Sequence, residues 1–355
     1  MFTSQEYAEV SAFYRNVSGY APTPLHTVPD FAREIGVREV LVKDESQRLG
    51  LPAFKMLGVT YAVNQMMLRG SINRESILVS ATDGNHGRAL SYVARTLGMK
   101  AKIYIHRDVS PRRAAAIADE GAEVVTIDGN YDDSVLAAAE AAEAHGWTLV
   151  SDTSWPGYER VSHDIMLGYT MLTMEAAQQW SFPPDLVLVQ AGVGGLACAI
   201  VSWFLHEQPT ARPFIISCEP EGAACVLESI RAGRVFALQG SLETVMAGSS
   251  CGTVSALAWP ILKTGIDACV SIRDSECMKV MRKLAYPGGD DPVIVAGESG
   301  ACGVAALWAI AQQDEFKELR KVCRIGAHSR VLVINTEGAT NPESYYQITG
   351  VKSPS

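Results

Sequence analysis

The strongest constraint on this chain is a rhythm: a short β-branched or aliphatic run, then a helical pattern, then another run. Glu39–Lys43, Ser76–Ser80, Ala101–Ile105, Glu123–Ile127, Thr148–Val150, Leu186–Gln190, Phe214–Cys218 and Arg330–Asn335 read as strands. Gly58–Arg69, His86–Leu97, Pro111–Glu120, Asp132–His145, Val161–Trp180, Leu196–Glu207 and Ser275–Ala285 read as helices between them. Strands joined through helices form parallel sheets with helices on both faces. The βα units fall into two groups, one within 60–177 and one after 178, with no Pro/Gly linker between them. The 355 residues, 48% hydrophobic, suffice for two such α/β domains. Ligands of these sheets sit outside the carboxyl ends of the strands, which predicts a cleft site.

Several function classes are disfavoured. The net charge is −9 and no Lys/Arg run exceeds two residues, so nucleic acid is not an expected partner. The N-terminal stretch carries acids early and does not read as a signal peptide. Leu186 to Leu205 is uncharged and long enough to cross a bilayer. Glycines at 192, 194 and 195 interrupt it, so strand, tight turn and helix is the expectation, with no membrane partner. All eight cysteines lie at or beyond Cys198 without regular spacing or a CxxC. That argues against a disulfide framework or a metal site and for reduced thiols in the cytoplasm. Cys225 and Cys251 would pair only if the fold brought them together.

The pattern breaks in four places. Lys55 sits among Pro52, Phe54 and Met56 at a helix start, either as a desolvated amine fit for nucleophilic chemistry or as a lysine snorkelling to water. Ser80 to Gly87 is a polar loop between a strand and a helix, where anions are favoured. There Asp83 or Asn85 is functional or simply caps the helix, and His86 reads as structural. Gln190-Ala-Gly-Val-Gly-Gly-Leu196 brings backbone amides close to a phosphate, or is the glycine turn of a dinucleotide fold with Glu219 as its acid. Ala197 departs from the full GxGxxG spacing, and the motif alone leaves both readings open. Asn335-Thr-Glu-Gly338 is an ordinary strand-end turn or a polar group at the cleft.

Lys55 early, an Asn loop, a mid-chain glycine loop and a hydroxyl at the last strand together resemble the fold-type II pyridoxal-phosphate enzymes, the superfamily of tryptophan synthase β and threonine dehydratase. The resemblance covers nearly the whole chain from Pro22-Thr-Pro-Leu25 onward. Within that superfamily the chain is most similar to the diaminopropionate ammonia-lyases. Val42-Lys-Asp-Glu-Ser46, Ala53-Phe-Lys-Met-Leu-Gly58, Thr82-Asp-Gly-Asn-His-Gly87, Ser151-Asp-Thr-Ser-Trp155, Thr244-Val-Met-Ala-Gly248, Gly297-Glu-Ser-Gly-Ala301 and Asn335-Thr-Glu-Gly338 carry it. Plain serine or threonine dehydratases typically have a serine where this chain has Asp83.

The resemblance implies a tryptophan synthase β-like α/β fold. Its large cofactor-binding domain would be 1–60 with 178–355, its small domain 61–177, and its active site the cleft between them. It implies that Lys55 binds pyridoxal 5'-phosphate as a Schiff base, and that the backbone of Gly192, Val193, Gly194, Gly195 and Leu196 binds the phosphate. Asn85 would bond the ring 3′-oxygen, and Thr336, or as the alternative its neighbour Asn335, the pyridine nitrogen. The implied reaction is α,β-elimination of ammonia from the amino acid 2,3-diaminopropionate by a homodimer. Lys55 would be the base for the L isomer, Asp83 for the D isomer, and Asp83 and Asp152 would hold the β-ammonium. The rivals are a serine, threonine or hydroxyaspartate dehydratase on this scaffold, an NAD-dependent dehydrogenase, and a cofactor-binding protein without catalysis.

Overall fold

The computed structural model describes residues 2–82, 84–129 and 131–353. Its ten strands are β1 (Leu25–Thr27), β2 (Glu39–Asp44), β3 (Ile77–Ala81), β4 (Lys100–His106), β5 (Glu123–Ile127), β6 (Thr148–Leu149), β7 (Leu186–Gln190), β8 (Phe214–Pro220), β9 (Ala268–Ile272) and β10 (Arg330–Asn335). The chain divides into two compact units, Met1–Phe54 with Thr170–Ser355, and Lys55–Tyr169.

The first unit is built on a six-stranded sheet ordered β1-β2-β10-β7-β8-β9. Every pairing is parallel except β1 on β2. The central strands are buried on both faces, which is why they read as unbroken apolar runs. The uncharged stretch at 186–205 is β7, a glycine turn and the helix Gly195–Glu207. Gly194, at φ +91°, makes a left-handed corner that admits a side chain only under strain. No helix among the described residues is long and apolar enough to cross a membrane. Two strands escape the sequence pattern. β1 has three residues, and β9 is an edge strand only partly buried along its length.

The second unit carries the parallel sheet β5-β4-β3-β6. Its helices Lys55–Leu68 and Arg160–Gln179 meet at two glycines, where a Cβ on Gly168 would stand 2.9 Å from the Cα of Gly58. Contact that close holds the first turn after Lys55 in this unit. The compact units divide at 54/55 and, inside helix Arg160–Gln179, at 169/170.

The first unit contains a fully buried charge cluster. Arg48 donates to Glu45 through Nε at 2.8 Å and to both Glu175 oxygens at 2.8 Å. Lys43 donates to Glu175 at 2.7 Å and to the Thr23 carbonyl at 2.7 Å. Burial pushes the Glu175 carboxyl up, but Arg48 and Lys43 outweigh it and hold it below its ordinary value. Two cations and two anions balance, and removing one partner strands a buried charge. Glu175→Gln is expected to lower stability by about 3–5 kcal/mol in denaturant unfolding. Lys321→Gln, which breaks the exposed pair with Glu318, leaves the midpoint unchanged.

Candidate active site

Lys55 opens the helix Lys55–Leu68, and its ammonium forms an ion pair with Asp152. Nζ also lies 5.8 Å from the centre of the buried Tyr169 ring. The Lys55 side chain is 18% exposed and that of Asp152 9%, so this amine does not reach out to water. Burial pushes the Asp152 carboxyl up, but the Lys55 ammonium outweighs it and holds the acid well below the usual carboxylate range. A carboxylate fixed here binds an ammonium group and keeps it protonated.

The loop bearing Asp152 is tied down on both sides. Val150 N–H donates to the Val79 carbonyl of β3 at 2.8 Å, and Ser151 N–H to the Tyr158 hydroxyl at 2.8 Å. Ser162 Oγ donates to the Ser151 and Thr153 carbonyls at 3.1 and 2.7 Å. His86, in the first turn of helix Asn85–Thr96, is buried and bonds the Val150 carbonyl through Nε2 at 2.8 Å. Its Nδ1 faces Asp152 at 3.8 Å. Asn85 is the first residue of that helix and is half-buried. Asp83 lies outside the described residues.

In the other unit, the turn between β7 and helix Gly195–Glu207 presents an unused row of donors. Among the described residues nothing accepts from the amides of Gly192, Val193, Gly194, Gly195 and Leu196. Five free N–H groups at a helix N-terminus make an anion cradle of the kind a phosphate fills. The residues present thus fit a phosphate-bearing cofactor. Cys225 and Cys251 do not form a disulfide, and both pack against Gly192.

Thr336 is buried directly after β10. Its Oγ1 accepts from Gln190 Nε2 at 3.2 Å, which leaves the hydroxyl proton available for a ring nitrogen. Asn335 is committed elsewhere, donating to Asp44 at 2.8 Å and to the Val295 carbonyl at 3.0 Å. Of the neighbours, Thr336 is the one with a donor to give. Gln190 also donates to the carbonyls of Ser299, Gly300 and Ile334. Sequence reasoning quoted Gln190 and Ser299 within motifs but missed that they support Thr336. Tyr169 had no signal at all, and His86 was read as structural.

Glu219 does not behave as a nucleotide-binding acid. Its carboxylate accepts from the Val226 and Leu227 amides at 2.7 and 2.8 Å, capping the helix Cys225–Ala232. This commitment removes the residue on which the dehydrogenase reading depended.

Comparison with known proteins agrees with this geometry. A family model described as pyridoxal-phosphate dependent enzyme matches residues 17–328. Diaminopropionate ammonia-lyase from Escherichia coli (strain K12) is 36% identical, with 98% of this chain and 92% of that protein covered. The crystal structure of the Escherichia coli enzyme in complex with an aminoacrylate-PLP azomethine reaction intermediate superposes with a TM-score of 0.92. It is 36% identical and covers 98% of this chain and 92% of its own. A serine dehydratase-like protein from Homo sapiens is 29% identical, covering 73% of this chain and 72% of its own. The chain belongs to the pyridoxal-phosphate dependent enzymes of fold type II.

Proposed function

We propose that this protein is a lyase that eliminates ammonia from 2,3-diaminopropionate. Substrate and one water give pyruvate and two molecules of ammonia. The observation that carries this reading is the Lys55–Asp152 pair, a buried carboxylate already holding an ammonium. A serine or threonine dehydratase has no such cation to hold. The 36% identity to enzymes that carry diaminopropionate in their name supports the same choice.

Pyridoxal phosphate supplies an electron sink that acidifies the substrate Cα–H. Lys55 would hold the cofactor through its carbonyl and, once released as an amine, take the Cα proton of the L isomer. Asp83 would take the proton from the opposite face, that of the D isomer. Asp152 and Asp83 would hold the β-amine as ammonium, because ammonia leaves far more readily than amide. The free amides of 192–196 would bind the phosphate, and Asn85 the 3′-oxygen. The Thr336 hydroxyl would face the ring nitrogen. A neutral partner there, unlike a carboxylate, leaves the nitrogen largely unprotonated and favours elimination over competing reactions. The eight free thiols suit a reducing cytoplasm, and the superfamily resemblance points to a homodimer.

Pyruvate release by the loaded protein is expected to be faster from a diaminopropionate isomer than from L-serine. L-threonine, read as 2-oxobutyrate, is expected to be slower as well. A faster β-hydroxy substrate would move the reading to a dehydratase. Asp83→Asn is expected to cut turnover of the D isomer by about 100-fold or more while leaving substantial L turnover. Equal loss on both isomers sinks the two-base scheme. Borohydride reduction followed by peptide mapping should find the cofactor on Lys55, and Lys55→Ala should abolish that label.

A further inference from the structure

The ion pair between Lys55 and Asp152 creates a difficulty for its own chemistry. A lysine that serves a carbonyl cofactor must turn its nitrogen to that cofactor, and Asp152 then loses the cation that balances it. The carboxylate is buried and cannot be hydrated in place. An unpaired charge in such a site is costly enough that the group takes a proton instead.

His86 stands where that proton would be needed. Its Nε2 bonds a carbonyl oxygen, which only accepts, so Nε2 carries the hydrogen and Nδ1 is a bare lone pair. Nδ1 is buried, has no hydrogen-bond partner among the described residues, and lies 3.8 Å from Asp152 Oδ2. A lone pair facing a carboxylate is unfavourable for both, and one proton between them satisfies both. The other titratable groups acting on Asp152 and His86 are Lys55, Tyr158 and Tyr169, among the described residues. Burial pushes both tyrosine hydroxyls up, so they stay neutral and supply no charge. With Lys55 in place, burial pulls His86 down and keeps it neutral.

We propose that Asp152 and His86 form a proton-sharing pair, taking one proton from solvent at neutral pH when the Lys55 ammonium is drawn away and no substrate ammonium stands in its place. His86 is then a positioning residue. It acts through Asp152, keeping the acid in place and electrically balanced while Lys55 is occupied. The proposal rests on Lys55 being the cofactor's attachment point, and it says what that attachment demands of the residues left behind.

Nitrogen-15 spectra of the histidine side chains in the full-length protein test it. There are seven histidines, and the His86→Gln spectrum assigns the resonance in question. In cofactor-free wild type, Nδ1 of His86 should carry the signature of a bare lone pair at pH 7. In cofactor-free Lys55→Met, Nδ1 should be hydrogen-bonded or protonated, with its titration midpoint raised by roughly 1–3 pH units. Wild type loaded with pyridoxal phosphate should show the same change, which keeps the test valid if Lys55→Met does not fold. A bare Nδ1 in the loaded protein, or an unshifted midpoint in a folded Lys55→Met, overturns the proposal. Borohydride mapping tests the underlying reading separately. Label on another lysine overturns the attachment point, whereas label on Lys55 with a bare Nδ1 overturns only the shared proton.

Discussion

Arg48 is a guanidinium taken out of water, and the course of the chain leading to Lys55 depends on it. Glu45 and Glu175 hold the head group. Its main chain closes a tight turn, donating to and accepting from Leu51 at 2.7 and 3.1 Å. Leu49 and Gly50 within that turn take left-handed conformations, φ +52° and +87°, which the anchored arginine helps to hold. The chain leaving the turn is stitched to the end of β10. Gly338 N–H donates to the Pro52 carbonyl, and Phe54 N–H to the Thr336 carbonyl. Lys55 is the next residue. The buried cluster thus anchors the chain up to Phe54, the residue before Lys55.

The two units carry candidate site residues of different kinds. In one, the anion cradle is made of backbone amides and the ring-facing hydroxyl is supported by the Gln190 amide. These donors do not titrate, so binding there is insensitive to pH on the protein's side. In the other, Lys55, Asp152 and His86 are all groups whose charge answers to their neighbours. One set offers fixed dipoles, and the other offers groups that gain and lose protons.

What was legible in the sequence follows from how local each signal is. β7, the glycine turn and the following helix were readable because a β-branched run, three glycines and a helical run follow one another directly. Lys55 stood out because a cation among apolar residues breaks a pattern. Asp152 emerged only by resemblance, because 97 residues separate it from Lys55. The Arg48–Glu175 contact spans 127 residues and had no local signature whatever. His86 reads as structural beside Asp83 and Asn85 in the polar loop. Its unpartnered Nδ1 depends on the direction of a ring and not on residue type, so no sequence pattern signals it. Glu219 erred the other way, an acid in the expected place whose oxygens had already been taken by a helix cap.

The position of β10 bears on how the protein is made. It lies between β2, from the start of the chain, and β7, from its middle. The Lys55–Tyr169 unit is one continuous stretch whose own strands pair in sequence proximity, so it can take shape while synthesis continues. The six-stranded sheet must wait until residue 335 emerges from the ribosome, because until then two of its strands face a gap. That gap exposes unpaired strand edges with apolar centres, Val40–Val42 and Leu186–Val189, the kind of surface that joins chains edge to edge. The nascent chain is therefore most in need of a chaperone in the interval between β9 and β10, and the final strand to arrive also brings Thr336 to its place.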